Sequence, residues 1–120
     1  MIVENTPVPS TPANEKAITK LHRLTRTLAT YATVVSWTVT AGKVGILQFV
    51  EMETDDYDIT SFKLTIAGEV QFTDAKIGGS LALEWPCVKL AAGSVVLLEA
   101  KSDGVTEVNV DGDILGKEVG

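Results

Sequence analysis

The chain reads as an all-β protein: a single antiparallel β-sandwich of jelly-roll type, with about seven or eight strands and an extended N-terminal arm. Three observations predict this. From Ala29 onward, apolar residues recur with a period of two rather than 3.6. Glycine-bearing turns punctuate that pattern at short intervals, at Gly42, Gly68, Gly78-Gly79, Gly93 and Gly104. The first thirteen residues, by contrast, carry Pro7, Pro9 and Pro12 and no alternation.

Proline fixes φ, removes a backbone donor and pushes its predecessor toward extended geometry, so neither a helix nor a central strand fits residues 1–13. They read as an arm that becomes ordered on a partner. Asn14 is placed to cap a short helix through Glu15-Lys16-Ala17, with Ile18, Leu21 and Leu24 at helical spacing. Thr19, Thr25 and Thr27 oppose a helix, which should end near Leu24. The boundary is set after residue 28: an arm over 1–28 and a sandwich over 29–120.

The first predicted strand puts Tyr31, Thr33, Val35, Trp37 and Val39 on one face and smaller or polar residues on the other. Thr40-Ala41-Gly42-Lys43 turns it into a second strand, Val44 to Met52, apolar on both faces as near a sheet centre. The acidic run Glu51 to Asp58 reads as a loop. Ser61 to Ile66 alternates, and Ala67-Gly68-Glu69 folds it onto Val70 to Thr73 as a hairpin. Leu81 to Trp85 alternates and stops at Pro86. Ser94 to Ala100 follows the Ala-Gly93 turn, and Thr106 to Val119 supplies one or two strands broken at Gly112. The Ala-Gly-x-Val pattern at Ala41 recurs at Ala92, either as a duplicated half-sandwich or as two convergent turns.

Charge divides the chain in the same place. Residues 1–30 hold four bases against two acids, while residues 31–120 hold six against fourteen, within a net charge of −6. Such an acidic body argues against direct nucleic-acid binding, which needs a basic surface. No apolar run approaches the ~20 residues of a membrane span. Met1-Ile2-Val3 runs into Glu4 and Pro7 without the order of a signal peptide, so a soluble protein made in a reducing cytoplasm is expected. The lone Cys87 allows no intrachain disulfide and reads as a small buried hydrophobe.

Chemistry-bearing patterns are sparse. His22 is the single histidine, and nucleophilic catalysis usually needs such a base beside its nucleophile; its place in the basic head makes it a solvent-exposed bystander. Ala41-Gly42-Lys43-Val44 lacks the upstream Gly and following Ser/Thr of a phosphate loop. The carboxylates of Glu51 to Asp58 suit Ca²⁺ in type but match no known loop spacing, so solvation is the simpler reading. Trp37 and Trp85 sit in phase with apolar neighbours and read as core rather than as a sugar platform. The reading is non-enzymatic, with no cofactor and no metal.

The stretch from Thr38 to Val119 resembles small β-sandwich structural proteins of tailed bacteriophages, of the capsid decoration and head-fibre types. The residues that carry the resemblance are Val39-Thr40-Ala41-Gly42-Lys43, Phe62 to Gly68, Leu90 to Val95 with Gly93, and Ile114 to Glu118 with Gly116. The resemblance implies a virion protein on the capsid surface, bound to a major capsid protein and forming a homo-oligomer, with a trimer favoured. On that reading Pro7, Pro9, Pro12, Lys16, Lys20, Arg23 and Arg26 are the expected capsid or subunit contacts. The alternative is a carbohydrate- or receptor-binding sandwich module of a phage tail or cell surface.

Overall fold

A strand with one apolar face must bury it against a second sheet. The computed structural model describes residues 14–120, and these build two such sheets. Eight strands follow in chain order: β1 (Glu15–Arg26), β2 (Ala32–Thr38), β3 (Val44–Thr54), β4 (Ser61–Ile66), β5 (Glu69–Ala75), β6 (Ser80–Leu90), β7 (Val95–Lys101) and β8 (Val108–Val119). Sheet orders are β1-β8-β3-β6 and β2-β7-β4-β5. The pairing is nested: first with eighth, second with seventh, third with sixth, fourth with fifth, each antiparallel. That is the order of a jelly roll.

The two inner faces meet through Val34, Val35 and Trp37 of β2, Leu47, Val50 and Met52 of β3, Phe62 and Leu64 of β4, Val96 and Leu98 of β7, and Val108, Val110 and Ile114 of β8. Trp37, 2% exposed, is the largest fully buried side chain. Its ring needs room, and glycines provide it. A Cβ at Gly45 would lie 3.0 Å from the indole Cη2, and one at Gly116 would run into the Ile46 carbonyl. The indole N–H is also buried, and an unbonded polar group there would cost about 1–3 kcal/mol. Glu118, 5% exposed, accepts it at 3.0 Å and accepts the Thr40 amide at 3.0 Å with the same Oε2.

The turns form as their residues dictate. Ala67 (φ 52°) and Gly68 (φ 84°) are both left-handed, the geometry of a two-residue hairpin between β4 and β5. The two Ala-Gly turns are structural equivalents. Gly42 (φ 81°) and Gly93 (φ 85°) follow the same bend, closed by Lys43 N–H to Thr40 O and Ser94 N–H to Ala91 O, each at 3.0 Å. Ala41-Gly42-Lys43 therefore leads into strand β3.

Several expectations are corrected. Residues 15–26 form strand β1, not a helix, and the sandwich begins at Glu15 rather than Ala29. The apolar pair that decides this is Ile18 and Leu24, which share a face at even spacing and pack on the core. Leu21, which the helical reading needed, is 76% exposed on the other face. β8 passes through Gly112 unbroken, because Leu98 and Val34 of the facing sheet occupy the space a side chain would take. β6 passes through Pro86 because it is an edge strand, where a missing N–H is tolerated. The register against β3 shifts there, between Leu47 and Phe49, and Cys87 is exposed rather than buried. A second shift, between Thr33 and Val35, turns both Val34 and Val35 inward.

Candidate docking surface

All four bases of the expected contact set that lie within the described residues fall on β1; Pro7, Pro9 and Pro12 lie outside those residues. Among the described residues β1 is the edge of its sheet, hydrogen-bonded on one side only, to β8. Its period of two separates the bases. Lys16, Lys20 and Arg26 share the face of Ile18 and Leu24, and Arg23 lies on the opposite face with Leu21.

Two of the four have intramolecular partners. Arg23 grips Asp111 with both arms of its guanidinium, Nε to Oδ1 at 2.7 Å and Nη2 to Oδ2 at 2.8 Å. That hydrogen bonding and charge push the Arg23 value up and hold the Asp111 carboxyl below its usual range. Arg26 turns onto the following bend, donating to the Thr30 carbonyl from Nε (3.0 Å) and Nη2 (2.9 Å) and to the Thr30 hydroxyl at 2.6 Å. Lys16 and Lys20 are exposed and have no ion-pair partner among the described residues.

Lys20 and His22 line a cleft of about 470 Å³ where β1 meets β2, together with Thr19, Leu21, Thr33, Val34, Val35 and Ser36. The hydroxyls of Thr19, Thr33 and Ser36 supply polar rims, and Val34 and Val35 form its apolar base. Among the described residues no hydroxyl is hydrogen-bonded to His22, so the nucleophile–base pairing of acyl transfer is not formed there.

Apart from Glu15 on β1, the acidic residues of the described chain are elsewhere, and two of them hold loops. Asp55 accepts the Asn109 backbone and side-chain N–H groups, both at 3.0 Å, and these bonds hold its carboxyl below the usual range. Asp103 Oδ1 accepts from Val105 N (2.8 Å) and Thr106 N (3.0 Å), closing the turn before β8. On the outer face of the β1–β8–β3 sheet, Glu51 sits opposite Asp113 and Glu53 opposite Asp111. The Asp113 charge pushes the Glu51 carboxyl up, and Asp113 Oδ1 is buried without a hydrogen-bond partner among the described residues. No three His, Cys, Asp or Glu side chains converge as metal ligands among the described residues.

Trp37 is buried in the core, Trp85 is half-buried against it, and Tyr57 is exposed. Among the described residues, none of the three lines the cleft between β1 and β2.

No family model matches the chain, and no curated protein matches it. Among solved structures the match extends nearly end to end. A chain of the structure described as the cyanophage Pam1 capsid asymmetric unit is similar over 98% of this chain and 94% of that chain, with a TM-score of 0.55 and 13% identity. A phage capsid carries this fold. At that identity the likeness is one of architecture, and it covers β1 as well as the body that follows.

The sequence located the bases but not their partners. Asp111 lies 88 residues from Arg23, and Glu118 lies 81 from Trp37, so neither pairing has a local signature. The visible signal for β1 was the even spacing of Lys16, Ile18, Lys20, His22 and Leu24, which competes with a helical spacing over the same residues.

Proposed function

We propose that the protein is a non-enzymatic virion structural protein: a capsid decoration protein, made in the host cytoplasm, that sits on the capsid surface and docks on the major capsid protein through its N-terminal region. The observation that carries this reading is the likeness, over almost the whole of both chains, to a chain of a phage capsid asymmetric unit. Two features support it. The body is strand-built, and polar side chains such as Asp55, Asp103 and Glu118 hold its turns and strands together. Lys16 and Lys20, without an ion-pair partner among the described residues, stand on the sheet-edge strand β1.

In this reading Pro7, Pro9 and Pro12 keep the arm extended, which lowers the entropy lost when it lies along a shell subunit. Lys16 and Lys20 steer it to an acidic surface, while Arg23 braces β1 from the opposite face and Arg26 pins its end to the following bend. A closed three-fold assembly multiplies such contacts through effective concentration. Removal of residues 1–13 should leave a folded body that no longer co-sediments with phage shells, with the mass in solution giving the subunit number. Shell binding that survives the truncation refutes the assignment of docking to the arm.

A further inference from the structure

Two four-stranded sheets leave four edges, here β1, β6, β2 and β5. The unpaired N–H and C=O groups of an edge accept another strand unless bulges, prolines or charges blunt it. Three of the four are interrupted. β2 pairs with a register shift between Thr33 and Val35, β5 pairs with two shifts against β4, and β6 carries Pro86 beside its own shift. β1 is different. All twelve of its residues pair without a shift, from Glu15 opposite Val119 to Arg26 opposite Val108. Its other side, which borders the cleft toward β2, pairs with no strand among the described residues and is long and regular, and Ile18 is its one fully buried residue.

The charge along that edge says what it excludes. Lys16 and Lys20 have no ion-pair partner among the described residues, and Lys20 and His22 line the cleft toward β2. A second copy paired β1 to β1 would set like charges along one ladder, which is destabilising. A nucleic acid would meet a chain of net charge −6, with Glu51, Glu53 and Asp113 on the adjoining sheet face. A single extended strand with Asp or Glu set against Lys16 and Lys20 escapes the first obstacle, and, lying in the plane of the sheet at the β1 edge, it need not cross the acidic face of β3 and β8.

We propose that the free edge of β1 receives an acidic, extended segment of a partner protein, which becomes a fifth strand of the β1–β8–β3–β6 sheet. Main-chain hydrogen bonds to β1 hold it, and Lys16, Lys20 and the polar rim of the β1–β2 cleft select its charge. The inference rests on the reading of β1 as a docking strand and names the chemistry it recognises.

The test uses the isotope-labelled full chain at low salt, titrated with a short peptide alternating glutamate and threonine. Expected are amide shifts confined to residues 15–26 and 33–36 and slowed amide exchange along β1. The Lys16→Glu/Lys20→Glu double variant should weaken binding roughly tenfold or more, as two cross-strand attractions become repulsions. A Lys76→Glu/Lys89→Glu variant, equal in net charge but remote from β1, should change it less than about threefold. A peptide N-methylated at alternate amides keeps its charge but loses donors, and it should not bind. The proposal is overturned by absent binding, by equal binding of a lysine–threonine peptide, by an undiminished N-methylated peptide, or by shifts centred on β6. Tighter binding of an oligonucleotide, or β1-mediated dimerisation, also overturns it. Shell co-sedimentation separates the two readings. Loss of shell binding with peptide binding intact sinks the docking role alone, and the reverse result sinks strand addition alone.

Discussion

Glu118 is buried 81 residues away from the tryptophan it serves, and its removal should be felt throughout the sandwich. One oxygen, Oε2, accepts both the Trp37 indole N–H and the Thr40 amide. Hydrogen bonds to a charged group contribute about 1.5–3 kcal/mol, and a buried donor left without an acceptor adds a penalty of its own. Glu118→Ala takes away the acceptor for both donors at once, so a loss of about 3 kcal/mol is expected, or roughly 10–20 °C in Tm for a domain of this size. Glu118→Gln keeps one acceptor oxygen and should lose about half as much. A cycle of Trp37→Phe, Glu118→Ala and the double variant isolates the pair, because the cavity cost of losing the indole cancels. The two losses should fall short of additive by about 1–2 kcal/mol. Acid titration gives a second reading. Burial pushes the Glu118 carboxyl up, but the Trp37 and Thr40 hydrogen bonds outweigh it, with help from the Lys16 charge, and hold it below the usual glutamate range. A carboxyl depressed in the folded state contributes stability above its unfolded value and loses it as pH falls through the folded one. The stability gap between the parent and Glu118→Gln should therefore be open at neutral pH and close in acid. An alanine variant that melts within about 2 °C of the parent, with a parallel pH profile, refutes this account.

Two further outcomes follow from the packing. Gly116→Ala drives a Cβ into the Ile46 carbonyl and should cost about 3 kcal/mol or more in urea denaturation, whereas Gly42→Ala, which has open space but a φ of 81°, should cost only about 1 kcal/mol. Tyr31 ties β5 to the far side of its sheet: its hydroxyl donates to Asp74 Oδ1 at 2.6 Å and accepts the Asp74 amide at 2.8 Å, with Lys101 4.7 Å above the ring. Tyr31→Phe should cost about 1 kcal/mol and speed amide exchange along β5 selectively; uniform exchange across the sheet counts against the clasp.

Most of the sandwich was legible because its signals are local. The Ala67-Gly68 hairpin lies between strands whose alternation needs no distant partner, and the strand Ser61–Ile66 falls where its pattern places it. β1 was not legible, because only Ile18 and Leu24 face inward and Lys20 and His22 interrupt the apolar face between them. An edge strand is stabilised mainly by the neighbour it pairs with, and β8 is a hundred residues away at the far end of the ladder. Cys87 was misplaced for a related reason. A bulge reverses which side chains face inward, and nothing in Trp85-Pro86-Cys87 announces where the register slips. The four bases of the expected contact set cluster on one strand, where Arg23 and Arg26 are bound to Asp111 and Thr30 within the chain, pairings that no local pattern announces.

The nested pairing also dictates an order of assembly. β4 and β5 are joined by a tight turn, so that ladder closes with little loss of chain entropy, while every further pair must bring together residues ever more distant in sequence. Folding of such a chain is slow for its length, because the remote ladders gain nothing until the inner ones exist. β1 and β8 form the outermost pair, with the widest separation in sequence and so the largest closure entropy to overcome. A partner bound along the strand that carries Lys16 and Lys20 would therefore fasten this outermost pair, and with it the ladders nested inside, from the outside in.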